Sequence, residues 1–168
     1  TARILSPDFA LITNIGDSHL EYFKNRKGVL KEKSALFNET IKRNGKIFIN
    51  NDDKLLKEIG KKIKNKITFA LNESADYKAK IIGYDKLAMP HIVIKNKKKL
   101  FDAVLPVIGE TNVLNFTSAY SVASELGLND LQIKKALKKV KTYSKRLEIK
   151  NYKNFTLIND TYNANPDS

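Results

Sequence analysis

The residues best suited to chemistry gather early in the chain. His19 closes a polar run, Thr13-Asn14-Ile15-Gly16-Asp17-Ser18-His19, and Lys33 follows fourteen residues later. The run comes directly after Ala10-Leu11-Ile12, which reads as a buried strand. Polar groups just past the C-terminal end of an α/β strand are where such sheets place ligands. Downstream, a helix is expected over 27–42, with Val29, Leu30, Leu36, Phe37 and Ile41 at helical spacing. Lys33 falls inside that apolar stripe, three and four residues from Leu30 and Val29 on one side and from Leu36 and Phe37 on the other. Two readings stand side by side. Either the lysine stem packs while the ammonium reaches water, or Lys33 faces a site that His19 also faces. Two other candidates read as structural. Asn51-Asp52-Asp53 offers paired carboxylates that suit a metal, but its place ahead of a helix expected over 54–63 suits N-capping and the helix dipole better. His91 sits in an alternating strand with no acidic or histidine neighbour at ligand spacing.

The elements that must position these residues alternate at first. Strand 10–12, helix 27–42, strand 46–50, helix 54–63 and strand 67–71 make a β-α-β-α-β run, which argues for a parallel, doubly wound sheet. Asn44-Gly45 stops the first helix. From Tyr77 to Ile108 the helical period disappears. Short strands are expected at 80–84, 91–95 and 100–107, a small antiparallel sheet appended to the parallel one, with Pro90 and Pro106 at strand ends or edges. After Gly109 comes an amphipathic helix with Val113, Phe116, Ala119, Tyr120, Val122, Ala123 and Leu126 on its buried side, ended by Gly127. Asn129 caps a second helix with Gln132 three residues on. Residues 141–144 read as a linker, followed by two strand-like runs at 147–150 and 155–159.

Composition narrows the function classes. There is no cysteine, hence no disulfide framework and no thiolate metal site. No apolar run approaches the ~20 residues of a membrane span. The net charge of +13 comes from 31 basic and 18 acidic residues. Arginine occurs only at positions 3, 26, 43 and 146. Arginine is the usual reader of bases and phosphates, so this lysine-rich balance reads as a solvated surface with a mild attraction for anionic substrates, and not as a nucleic-acid module.

Four segments carry a family resemblance. Thr13-Asn14-Ile15-Gly16-Asp17-Ser18-His19-Leu20-Glu21 resembles the TNIGxxHLE segment of the Mur ligases, the ATP-dependent amide ligases of peptidoglycan precursor synthesis. Gly109-Glu110-Thr111-Asn112-Val113-Leu114-Asn115 resembles the GxHNxxN helix start, with Thr111 where the family usually has His. Lys145-Arg146-Leu147-Glu148 resembles GRxE or HRxE, with Lys145 in place of the Gly or His. Asn159-Asp160-Thr161-Tyr162-Asn163-Ala164-Asn165-Pro166 resembles DDSYNANP, with Asn159 for Asp and Thr161 for Ser. This last motif points to the family members that add D-Ala-D-Ala to UDP-N-acetylmuramoyl-tripeptide. Without the family, Asn112 reads as a helix cap, Arg146 as a linker arginine and 159–166 as a turn sequence.

The resemblance implies roles. His19 helps hold Mg²⁺, and Lys33, carbamylated by carbon dioxide, supports a metal. A carbamate turns an ammonium into an oxygen-bearing anion of the kind Mg²⁺ takes, and a packed setting would favour the neutral amine that carbamylation needs. Asn112 and Asn115 lie near adenine, Arg146 near ATP phosphate and Asp160 at the ribose, while Asn163 and Asn165 line the adjoining cleft. The reaction implied is ATP-driven amide formation through an acyl phosphate, in the cytoplasm and by a monomeric parent protein. None of the seven glycines fits a G-x-x-x-x-G-K-[ST] phosphate loop. The chain is therefore expected to be a fragment that is inactive alone: residues 1–144 the latter part of the ATP-binding central domain, and 145–168 the start of the C-terminal domain.

Overall fold

The structure, a computed structural model, describes residues 2–16, 25–96, 99–140 and 146–162. His19, Asn163 and Asn165 lie outside these, as does the expected domain boundary at 144/145. Chain order is α1 (Ala2–Leu5), β1 (Phe9–Ile12), α2 (Arg26–Lys42), β2 (Lys46–Asn50), α3 (Lys54–Gly60), β3 (Lys66–Ala70), β4 (Tyr77–Tyr84), β5 (Pro90–Lys95), β6 (Leu100–Val104), α4 (Glu110–Glu125), α5 (Asp130–Leu137), β7 (Glu148–Asn151) and β8 (Thr156–Asn159).

Strands β1 to β6 form one mixed sheet in sequential order, and β7 and β8 a separate antiparallel pair. The pairs β1–β2, β2–β3 and β3–β4 are parallel, while β4–β5 and β5–β6 are antiparallel. The antiparallel strands thus continue the parallel sheet edge to edge. The link from β3 to β4 has no helix because the pairing is staggered: only Phe69↔Tyr77 and Ala70↔Lys78 are in register. Strand β4 begins beside the end of β3 and runs on past it, so the long crossover that parallel strands usually need is avoided. Asp52 secures this link, its carboxylate accepting the N–H groups of Leu71 at 2.7 Å and Glu73 at 2.8 Å.

Side chains alternate along a strand, and helices cover both faces of the parallel part of the sheet, while β4 and β6 leave one face exposed. Ile47 and Ile49 of β2 face α2 and α3, where Val29, Phe37 and Leu56 complete a core with Ala10, Ile12 and Ile15. Phe48 points the other way, into a larger core with Phe69, Tyr77, Ile92, Ile94, Phe101 and Leu105 under α4 and α5. Phe48, Phe69 and Phe101 are almost wholly buried, each worth about 1.5–3 kcal/mol in apolar burial.

Three local expectations are revised. Helix α3 ends at Gly60, not Ile63, and turns there with Ile63 N–H donating to Gly60 O. Strand β6 stops at Val104, before Pro106, and Leu105 N–H crosses to Pro90 O. The buried face of α4 is Val113, Thr117, Ser118, Tyr120 and Ser121, while Ala119 and Leu126 are exposed. The three small polar residues fit there because their hydroxyls donate to helix carbonyls: Thr117 to Val113 O, Ser118 to Asn115 O and Ser121 to Ser118 O, each at 2.7 Å. Satisfied in this way they behave as small packing residues, which hydropathy alone does not reveal.

Candidate functional site

The site forms at the C-terminal edge of the parallel strands. Residues 13–16 leave β1 there and are fixed by the end of β2. Asn50 Nδ2 donates to Thr13 O at 2.8 Å, and Asp53 Oδ2 accepts the Ile15 N–H at 2.6 Å. Asp53 Oδ1 at the same time caps α3, accepting from Leu55 and Leu56 N–H, both at 2.9 Å. The capping role expected for the acidic pair therefore falls to Asp53, while Asp52 holds the β3–β4 link.

Helix α2 starts with Asn25 as its cap, the side chain accepting from Gly28 N–H at 3.0 Å. It runs back along β1, and Lys33 Nζ donates to Asn14 O at 3.0 Å. Lys33 thus reaches the backbone of the polar run that leads to His19. It is exposed, not packed; the helical stripe buries Val29 and Phe37, leaves Leu30 and Leu36 half-buried, and turns Lys33 outward along the rim. Its stem borders an open cavity of about 990 Å³ shared with Leu11, Ile12, Thr13 and Leu36. None of Asn112, Asn115, Arg146 and Asp160 lines that cavity.

A second group lies at the start of α4. Glu125 at the end of α4 pairs with Lys46 of β2 at 2.6 Å and accepts from the Tyr77 hydroxyl of β4 at 3.0 Å, so the end of α4 lies across β2 to β4. The cap position is Gly109, at φ 90°, with no side-chain cap bond. Asn112 is therefore not the helix cap; its Nδ2 donates to Ile108 O at 2.8 Å. Asn115, one turn on, is exposed.

The segment before β7 closes on this helix start. Leu147 Cδ1 stands 3.5 Å from where a Cβ on Gly109 would lie. Asp160 Oδ1 accepts the Leu147 N–H at 3.1 Å, and the Arg146 guanidinium lies over the Tyr162 ring at 4.1 Å. Arg146, Leu147, Asp160 and Tyr162 so form one cluster beside the helix that carries Asn112 and Asn115. The arrangement presents a guanidinium, a carboxylate and two carboxamides, a set that suits a phosphorylated, hydroxyl-bearing ligand with a hydrogen-bonding ring.

For a divalent cation, no group of three His, Cys, Asp or Glu side chains stands together among the described residues. Lys33 would suit a modified ligand: its side chain is exposed and lies beside one strand-end carbonyl, that of Asn14, an oxygen of the kind Mg²⁺ takes.

Sequence inspection missed Asn50 and Asp53 as anchors of the strand-end loop. The available signal was Asn50-Asn51-Asp52-Asp53, four carboxamide and carboxylate side chains in a row at a strand end. None of the described helices is long and apolar enough to cross a membrane.

Comparison with known proteins agrees with this architecture. The chain is 30% identical over 168 residues to the UDP-N-acetylmuramoyl-tripeptide–D-alanyl-D-alanine ligase of Bacillus subtilis, covering 99% of the chain and 35% of that protein. It is 32% identical over 163 residues to the UDP-N-acetylmuramate–L-alanine ligase of Aquifex aeolicus, covering 96% of the chain and 36% of that protein. Among solved structures it superposes on MurF from Acinetobacter baumannii with a TM-score of 0.86 at 29% identity, covering 99% of the chain and 36% of that structure. The chain thus spans about a third of the length of the relatives it matches. Residues 1–123 match the Mur ligase middle domain, and the chain belongs to the Mur ligase family.

Proposed function

We propose that this chain is the nucleotide-facing part of an ATP-dependent ligase that joins D-Ala-D-Ala to UDP-N-acetylmuramoyl-tripeptide. The observation that carries the reading is the cluster in which Arg146 lies over Tyr162 and Asp160 holds Leu147 against Gly109 at the start of α4. Residues up to 144 would serve as the central domain and those from 145 as the opening of the C-terminal domain. The adenine ring would lie against α4. Asn112 commits one N–H to Ile108 O, and its carboxamide oxygen would take the adenine amino group. Asp160 would offer a ribose hydroxyl the carboxylate oxygen not bonded to Leu147. Arg146, held over the Tyr162 ring, would lie along the phosphates, where a guanidinium offsets the charge that develops in phosphoryl transfer.

The tripeptide carboxylate takes the γ-phosphoryl group, ADP leaves, and the D-Ala-D-Ala amine attacks the acyl phosphate and displaces phosphate. Mg²⁺ would supply charge neutralisation for the transfer, with His19 and carbamylated Lys33 among the residues holding it. The D-Ala-D-Ala assignment rests on the match to the Bacillus subtilis enzyme and on the sequence of the 159–166 motif. The match to an L-alanine-adding ligase supports a second reading in which the acceptor is UDP-N-acetylmuramate and the amine L-alanine.

The test is a ligase assay on the full-length protein carrying this chain, with Mg-ATP and each acceptor–amine pair in turn. ADP release coupled to product from the tripeptide and D-Ala-D-Ala is the expected result. Product only from L-alanine would move the assignment to the second reading, and no ATP-dependent product from either pair would overturn both. In the same assay Lys33→Ala should lower kcat by about 10²-fold or more, as loss of a charge-stabilising group in a transfer site does, with the thermal midpoint little changed because Lys33 is exposed.

A further inference from the structure

We propose that Asp53 is a positioning residue for the strand-end loop that meets Lys33: its carboxylate ties residues 13–16 to the first turn of α3 and so sets where the Asn14 carbonyl stands. The inference rests on the reading of His19 and Lys33 as metal-site residues. A helix cap needs one side-chain oxygen, and Ser, Thr or Asn supplies it as well as Asp. Asp53 uses both of its oxygens. Oδ1 caps α3 through Leu55 and Leu56 N–H, while Oδ2 accepts the N–H of Ile15, thirty-eight residues earlier, at 2.6 Å. A carboxylate acceptor makes this bond stronger than a neutral one.

The neighbouring contacts give the tether its direction. Asn50 Nδ2 holds Thr13 O at 2.8 Å, and Asn50 Oδ1 accepts Asp52 N–H at 2.9 Å, which stiffens the turn that presents Asp53. Thr13 O and Ile15 N are therefore both fixed from the end of β2. Asn14 stands between them, and its carbonyl meets Lys33 Nζ at 3.0 Å. The Ile15 side chain, 4% exposed, is locked into the core with Val29 and Leu56. The strand-end loop is thus a rigid bridge whose orientation is set by Asn50 and Asp53. Small displacements of supporting residues matter because ligand groups must be held within about half an ångström of productive geometry.

Asp53→Asn separates the two roles, since an amide has one acceptor oxygen for the cap and no second one for Ile15 N–H. In the full-length protein, amide exchange at Ile15 should accelerate at least tenfold in Asp53→Asn while Leu55 and Leu56 stay within about twofold. Asp53→Ser, which keeps a capping oxygen only, should behave alike. Titration with Mn²⁺ followed by water-proton relaxation should show affinity reduced about tenfold to a hundredfold, the range seen when support of a ligand is removed, with ADP affinity unchanged. Equal loss of protection at Ile15, Leu55 and Leu56 in both variants would reduce Asp53 to a helix cap and overturn the proposal. Loosening at Ile15 with unaltered Mn²⁺ affinity would overturn the positioning role alone. No Mn²⁺ binding by the unsubstituted protein would sink the metal-ligase reading and the positioning role together.

Discussion

Asp160 shows how one side chain serves both local structure and a ligand. Its Oδ1 accepts the N–H of Leu147, a non-glycine residue at φ 46°. A left-handed conformation at such a residue costs roughly 1–2 kcal/mol, and the hydrogen bond helps hold it where Leu147 meets Gly109. In the full-length protein, Asp160→Ala should raise the KM for ATP about 10- to 100-fold, the loss of a hydrogen bond to a charged group at ~1.5–3 kcal/mol, with a smaller effect on kcat. Steady-state kinetics at varied ATP would measure the split, and an unchanged KM would remove Asp160 from the ribose site. The residue types at Asn112, Arg146 and Asp160 were legible from motif spacing. The contact between their segments was not, because Gly109 and Leu147 lie far apart in sequence and meet only through the path of α4 and the β7–β8 pair.

At the scale of elements, the joint between α2 and β2 decides where Lys33 stands. The expected stop at Asn44-Gly45 holds, but the two residues divide the work differently from a glycine-ended helix. Asn44 takes the left-handed conformation at φ 56°, and Gly45 permits close approach. A Cβ on Gly45 would lie 2.5 Å from Asp8 O and 2.6 Å from Thr40 Cγ2. Gly45→Ala should therefore destabilise the protein by about 1–3 kcal/mol, the usual cost of overpacking, and lower the midpoint of urea unfolding. An unchanged midpoint would mean that the α2–β2 joint yields without cost. The joint matters for the site because it sets how α2 lies: its C-cap Arg43 pairs with Asp8 at 3.4 Å, and Lys33 at mid-helix reaches the Asn14 carbonyl.

Over the whole molecule, the end of α4 is pinned to the sheet by a half-buried polar network. Tyr77 donates its hydroxyl to Glu125 Oε1 at 3.0 Å, and Glu125 also pairs with Lys46. Burial, and then the hydrogen bond to Glu125, push the Tyr77 hydroxyl up from 10.0 to about 12. Burial likewise raises Tyr120, whose hydroxyl donates to Asp130 at 3.0 Å. The sign follows from linkage. In the unfolded chain tyrosine loses its proton near pH 10, while the folded protein keeps it on Tyr77 until about pH 12. Stability from this group is complete below pH 10 and falls as pH rises toward 12. Thermal midpoints should decline through that window. Tyr77→Phe should lower stability at neutral pH by about 1 kcal/mol and make the alkaline decline shallower, which melts followed by circular dichroism would show. A decline equally steep in the variant would assign it elsewhere.

What this sequence determined by itself is local. Apolar runs at period 2 and period 3.6 specify strands and helices, Asn129 with Gln132 makes the capping box that is observed, and motif spacing marks His19, Lys33, Asn112, Arg146 and Asp160. These features depend on neighbours a few positions away, so they can be read along the chain. Tertiary structure alone decided that the antiparallel strands prolong the parallel sheet, that Thr117, Ser118 and Ser121 face the core, and that Lys33 lies exposed on a strand-end carbonyl. It alone assigned Asp53 to two partners, one of them thirty-eight residues away. The physical reason is that hydrophobic burial is set by which surfaces meet, and a polar group's position by which distant partner satisfies it.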